Sequence, residues 1–258
     1  MITRYIYPLW LREKISYRLQ RWFRLNLPDA QIPLFFAPGI TMDVEPTDIG
    51  HQSIILNGFY ELALSKRIVQ LAALGGYLVD VGANYGYFSM LWLAQHPANR
   101  CVAFEAAPEN IAALTKNIGQ NHLATRAAIE PVALGEQRGF VDFTINTDMG
   151  QTGWGGIAAQ AGPGTIRVPC TTLDAYWMEH FPLENIAVLK IDVEGADTLV
   201  LDGARNLLES GKVQHIFYEI NRPRMQLLGI DENRAASLLK SCGYRLEYIE
   251  VNEIHAYR

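Results

Sequence analysis

The spacing of apolar residues changes twice along the chain. Over the first 28 residues, Leu11, Ile15, Leu19, Trp22 and Phe23 fall on one side of a helical wheel. Lys14, Arg18, Arg21 and Arg24 fall on another, and Pro28 closes the run. This predicts an amphipathic helix. It either lies on an anionic membrane surface or an acidic partner, or docks its apolar stripe on the main body with the basic face in water. From residue 59 the pattern alternates between strand and helix, so an N-terminal helical extension over 1–58 and a main domain over 59–258 are expected.

Within that domain a helix over 59–74 stops at Gly75-Gly76. Residues 77–81 read as a buried strand, 85–95 as a helix and 101–105 as a second apolar strand. Pro108 opens a helix to about residue 121. Strands follow over 129–134 and 140–145, then a Gly-rich loop over 148–164 and a strand near 166–168. Helix 173–180, strand 186–191, helix 196–208, strand 213–219 and helix 231–242 come next. A hairpin, 244–250 with 253–257, ends the pattern. Strands alternating with long helices predict an α/β fold. Its sheet is mainly parallel and twisted, with helices on both faces and the hairpin as an antiparallel edge.

Composition narrows the function. With 49% hydrophobic and 19% charged residues, the 258-residue chain has the make-up of one globular α/β domain. A formal net charge of −5 argues against a nucleic-acid partner. The three cysteines are far apart, with no CxxC pair, which fits a reducing compartment, and Cys101 reads as a small buried hydrophobe. No apolar run approaches the roughly 18 residues of a membrane span, and the start lacks a signal-peptide pattern. A cytoplasmic location is expected.

The chemistry concentrates at Asp80-Val81-Gly82-Ala83-Asn84-Tyr85-Gly86, directly after a buried strand and at the start of a helix. Ligands of open α/β sheets bind beyond the carboxyl ends of the strands, and the first βα turn is the usual place. Gly82 is expected to let a cofactor approach the backbone, and Gly86 to let the helix pack on the strand. Asp80 and the helix N-terminus would flank a zwitterionic amino-acid moiety. A dinucleotide fingerprint needs a glycine where Asn84 stands, so a diphosphate is disfavoured, and no GxxxxGK[ST] is present. Both arguments favour S-adenosylmethionine. Glu105 closes the second strand about 20 residues beyond the turn, where an acid accepts ribose hydroxyls. Glu61 is a further, weaker cofactor candidate.

Taken together, Gly58-Phe59-Tyr60-Glu61, the segment from Val79 to Ser89, and Phe104-Glu105-Ala106-Ala107-Pro108 resemble the FkbM family of S-adenosylmethionine-dependent methyltransferases. So do Val132-Ala133-Leu134-Gly135, Thr172-Leu173-Asp174, Leu189-Lys190-Ile191-Asp192-Val193-Glu194-Gly195-Ala196-Asp197 and Phe217-Tyr218-Glu219. The family's acidic segment usually reads Glu-Pro directly, and Asp197 stands where Glu is common. The resemblance implies a Rossmann-like class I methyltransferase fold, and it adds Ala133 and Asp192 to the cofactor site. It also implies O-methylation of hydroxyls on natural products, sugars and related small molecules, with S-adenosylhomocysteine as product.

Methyl transfer from a sulfonium depends mainly on positioning and exclusion of water, and a base assists an unactivated alcohol. Asp192 and Glu194 are the candidate bases and Glu219 ranks third. Lys190, Asp192 and Glu194 would share one face if the strand continued that far, with Lys190 holding a carboxylate ionised. A metal is not expected, since no Asp-Asn pair completes a ligand set. His51 and His215 read as structural or solvated. Trp154, between glycines in the stretch 147–164, would act as a lid aromatic on the substrate. The expected partner is a small hydroxylated acceptor, with homo-oligomerisation left open. A catalytically silent S-adenosylmethionine-binding module and an N-methyltransferase of small amines are the rivals. A protein or RNA methyltransferase is disfavoured by the acidic charge.

Overall fold

The computed structural model describes residues 2–22, 31–145 and 155–258. Its N-terminal part contains helix α1 (Leu9–Trp22), the antiparallel pair β1 (Gln31–Pro33) and β2 (Thr41–Asp43), and helix α2 (Ile49–Asn57). Helix α3 (Leu62–Ala72) leads into β3 (Tyr77–Val81), α4 (Tyr87–Gln95), β4 (Arg100–Phe104), α5 (Pro108–Gln120) and β5 (Ala127–Glu130). A second sheet then forms from β6 (Ala133–Leu134), β7 (Gly139–Thr144), β8 (Gly156–Ile157) and β9 (Thr165–Thr171). The chain returns through α6 (Leu173–His180), β10 (Ile186–Ile191), α7 (Asp197–Asp202), α8 (Arg205–Glu209) and β11 (Val213–Glu219). It ends with α9 (Arg222–Leu227), α10 (Arg234–Ser241), β12 (Arg245–Tyr248) and β13 (Glu253–Tyr257).

The central sheet has the order β12-β13-β11-β10-β3-β4-β5. Strands β11, β10, β3, β4 and β5 run parallel, and β13 is antiparallel to both β11 and β12. This is the α/β Rossmann-like arrangement, and the chain order reverses direction between β3 and β10. Alternate residues of the buried strands feed different cores. Val79, Val81, Leu189 and Ile191 pack with α7, α8 and α10. Leu78, Ala103, Val188 and Phe217 pack with α3 and α4. Helices therefore cover both faces, as a parallel sheet requires.

Several sequence expectations change in detail. Residues 129–134 split at Pro131, and the two pieces join different sheets. The Gly-rich loop holds β8, which pairs with β7. Helix 196–208 is two helices: the Asn206 and Leu207 N–H groups at the start of the second donate to the Asp174 carboxylate at 2.8 and 2.9 Å, and Gly203 between the two helices packs on the Gly135 carbonyl. Helix α2 was unforeseen. Asp48 caps its start by accepting from the His51 N–H at 2.9 Å, and Gly58 ends it at φ 80.

The boundary expected at residue 58 does not separate two cores. Ile32, Leu34, Met42, Ile54 and Ile55 bury themselves with Leu78 and Trp92 in one cluster. Helix α1 also docks differently from the expectation. Leu11, Ile15 and Leu19 are half-buried, whereas Arg12 and Ser16 are fully buried. Arg12 donates to the Ile6 and Asn57 carbonyls at 3.1 and 3.0 Å, and its guanidinium lies over the Tyr7 and Phe35 rings. Thr3 and Arg4 donate to the Leu56, Ile55 and Ile54 carbonyls. These donors saturate the C-terminal end of α2, where the helix dipole favours positive charge. Phe23, Arg24 and Pro28 lie outside the described residues.

Candidate active site

Both sequence motifs end at the reversal of strand order. Residues Val81 and Ile191 are register partners, as are Asp80 and Lys190. The Gly82 and Ala83 N–H groups donate to the Phe104 carbonyl at 2.9 and 3.1 Å, and the Asp192 N–H donates to the Val81 carbonyl at 3.0 Å. Gly82 has φ 75, and a Cβ there would overlap the Asp192 carbonyl oxygen. Its missing side chain thus makes room for protein backbone, a correction to the expectation that it makes room for cofactor. Gly86 is likewise corrected, since a Cβ would strike Leu114 of α5 rather than the strand. Asn84 adopts φ 50, which asparagine tolerates, and its side-chain oxygen accepts from the Tyr85 N–H at 2.7 Å.

Glu105 closes β4 and is buried. One carboxylate oxygen accepts from the Asn84 N–H and the other from the Ala107 N–H, each at 2.8 Å. Burial raises its proton affinity and these two N–H groups oppose the rise. The side chain therefore ties the second strand to the glycine turn. It also borders a small cavity walled by Ala106, Val132, Ala133 and Phe143.

A second cavity of about 590 Å³ opens beside it, within the usual size of small-molecule sites. The tips of β10 and β11 supply Lys190, Asp192, Glu194 and Glu219, and Glu61 comes from the start of α3. Helix α2 supplies His51, and the C-terminal hairpin supplies Glu250 and Glu253. Three residues, Gly82, Asn84 and Asp192, line both cavities.

Lys190 is the pivot of the acidic wall. It is 4% exposed, donates to Asp192 Oδ2 at 3.2 Å and to the Gly82 carbonyl at 3.3 Å, and lies 3.6 Å from Asp80 Oδ1. Burial alone would depress the ammonium, but the Asp192, Asp80 and Glu61 carboxylates outweigh it and hold Lys190 protonated. Asp80 is 1% exposed and accepts from the Ser89 hydroxyl at 2.6 Å. It lines neither cavity, because it sits behind Lys190. The expectation that it faces an amino-acid moiety is corrected accordingly.

Glu194 does not share a strand face with Lys190 and Asp192. Strand β10 stops at Ile191, and Glu194 turns at φ 53. The turn still aims its carboxylate into the large cavity, where Asn221 Nδ2 donates to it at 3.1 Å. Burial first, then the Asp192 and Glu219 carboxylates, raise its pKa to about 7. Burial and the Asp192 carboxylate push Glu61 to about 8 and raise Glu219. Burial and Glu61 bring Glu253 to about 9. Strand register sets Glu253 in this wall, as the cross-strand partner of Glu219.

Sequence reasoning missed Glu253 and the wall formed by α2. A predicted hairpin does not say which strand it joins, and α2 mixes His51, Gln52 and Asn57 with Ile54, Ile55 and Leu56 on its buried sides, so it has no 3.6-residue apolar stripe to betray it. Of the two alternatives for His51, structural and solvated, the fold takes the structural one. His51 is a buried cavity wall that accepts from the Glu45 N–H at 3.1 Å and packs on Tyr85, and burial lowers its pKa. His215 sits half-buried in a stack with His255. Trp154 lies outside the described residues. Among the described residues, no group of three or more His, Cys, Asp or Glu is arranged to hold a metal.

The paired cavities fit the parts of S-adenosylmethionine. An apolar niche with a carboxylate at its edge suits a nucleoside, and an adjoining acidic chamber suits a sulfonium and an ammonium. Comparison with known proteins gives the family. The methyltransferase FkbM domain matches residues 80–246. Methyltransferase sdnD of Sordaria araneosa is 26% identical over 154 residues, spanning 49% of this chain and 60% of that protein. The matched region is thus less than two thirds of the relative's length.

Solved structures with a similar fold include an SAH-bound Podospora anserina methyltransferase, PaMTH1 (TM-score 0.43, 10% identity, 76% of this chain and 78% of that one). A Bacillus cereus O-methyltransferase in complex with SAH is another (0.43, 10%, 78% and 83%). With a match covering well over half its length, this chain belongs to the FkbM methyltransferase domain family, whose methyl donor is S-adenosylmethionine.

Proposed function

We propose that the protein is an S-adenosylmethionine-dependent methyltransferase acting on a hydroxyl of a small, hydroxyl-rich acceptor. The observation that carries this reading is the meeting of an apolar niche and an acidic chamber at Gly82, Asn84 and Asp192. In this reading Glu105 accepts from the ribose hydroxyls through lone pairs that the backbone leaves free, and Ala133 lies against the purine. Glu61 faces the ammonium of the methionyl moiety. When bound, the cofactor supplies an electrophilic methyl group on sulfur.

The chain's own residues then have three tasks. Asp192, held by Lys190, accepts a hydrogen bond from the acceptor and orients it at the junction of the cavities. Glu194, whose proton affinity lies near neutrality, removes the proton from the attacking hydroxyl. Glu219 and Glu253 accept from further hydroxyls. The same carboxylates would keep a bound amine protonated and so non-nucleophilic, which ranks N-methylation second. An anionic acceptor would be repelled.

Titration calorimetry with S-adenosylmethionine and SAH, on wild type and Gly82→Arg, tests the cofactor. Release of SAH on adding sugars and other polyols tests the acceptor class. Binding lost in the variant, with turnover on a polyol, is the expected result. Binding of neither adenosyl ligand to wild type would overturn the reading.

A further inference from the structure

The outer face of α1 carries side chains that neither the core nor the cavities use. Trp10 (59% exposed), Lys14, Tyr17 (61%) and Arg18 recur at helical spacing, and Tyr5 (85%) and Tyr7 (65%) extend the surface before the helix begins. The opposite face is occupied. Arg12 and Ser16 bond to Asn57, and Glu13 accepts from the Leu62 N–H at 3.0 Å. Docking therefore consumes one side of the helix and leaves an aromatic and cationic side open.

Charge is concentrated at the same place. Lys14 and Arg18 are exposed there with no acid of α1 between them on that face, in a chain of net charge −5, while Arg4 and Arg12 turn inward to the α2 carbonyls. Tyr and Trp rings with an apolar body and a polar edge favour the headgroup level of a bilayer, and Lys and Arg beside them meet lipid phosphates. Since no helix among the described residues is long and apolar enough to cross a membrane, the contact is peripheral. We propose that this face docks the protein on an anionic phospholipid surface. The resulting geometry holds α2, and the cavity that it walls, close to the lipid plane.

Flotation of the full chain tests this with vesicles of phosphatidylcholine, alone or mixed with phosphatidylglycerol. Wild type is expected to partition at least about tenfold more to the mixed vesicles, and added salt should release it. Lys14→Glu/Arg18→Glu and Trp10→Ser/Tyr17→Ser should each lower partitioning about tenfold or more. Their melting temperatures should not change, because all four side chains face water. Equal partitioning to both vesicle types, or none, overturns the proposal. So does a double variant that floats like wild type. A light-scattering mass of a dimer that Trp10→Ser/Tyr17→Ser converts to monomer also overturns it, by assigning the face to a second copy.

Discussion

The carbonyl oxygen of Asp192 occupies the space that a side chain on Gly82 would need. The glycine turn after β3 and the acidic turn after β10 are thus one packed unit, although about 110 residues separate them in sequence. Gly82→Ala meets both this overlap and a φ of 75. It should cost roughly 2–5 kcal/mol in urea unfolding and should also weaken S-adenosylmethionine binding in calorimetry. Unchanged stability would mean that the two turns do not touch in solution.

Lys190 pairs with a buried Asp80 as well as with Asp192. Lys190→Met should therefore destabilise by about 3–5 kcal/mol, since the Asp80 charge is left buried and alone. Adding Asp80→Asn should recover most of that loss, because an amide still accepts from Ser89. Activity should stay low in the double variant, where Asp192 has lost its cation. Recovery of full turnover would remove Lys190 from the acceptor site.

Glu194 must be ionised to take a proton, and its pKa lies at about 7. Methyl transfer should consequently rise with pH through that value and level off above it. Glu194→Gln should lower kcat on the order of 10²-fold and flatten this limb, with cofactor affinity intact. A variant that keeps the acidic limb would pass the role of base to another carboxylate.

Asp197 is buried, and burial together with the Asp192 carboxylate raises its pKa to about 8. One of its oxygens accepts from the Glu219 N–H at 3.1 Å, while the other has no partner. The folded state holds the proton more tightly than the unfolded state, whose carboxyl titrates near 4. Stability from this group is thus full below pH 4 and lost as pH rises to 8. Asp197→Asn should stabilise by roughly a few kcal/mol at pH 8 and hardly at all at pH 4. Thermal unfolding at the two pH values reads the difference, and equal gains at both would refute the buried-acid explanation.

Much of the architecture was legible in the chain. The buried runs Tyr77–Val81 and Ile186–Ile191 are short, lack polar alternation and are bounded by turns, which is the pattern of inner parallel strands. The spacing of Gly82, Asn84 and Glu105 pointed to one cofactor over another, because close approach to a diphosphate requires a glycine where Asn84 stands. These are local matters of pattern and sterics, which one segment decides by itself.

Tertiary structure decided the rest. Asp80 reads as a ligand in sequence, yet strand register sets it beside Lys190, and it is buried between that ammonium and the Ser89 hydroxyl. Arg12 and Ser16 are polar residues that the helical pattern does not single out, yet they are buried because α2 ends beside them: Arg12 donates to the Asn57 carbonyl and Ser16 to the Asn57 side chain. Glu253 joins the site only because β13 pairs with β11, which sets it opposite Glu219. In each case the determining partner lies dozens of residues away, and burial, register and charge neighbours come into being only when the chain closes on itself.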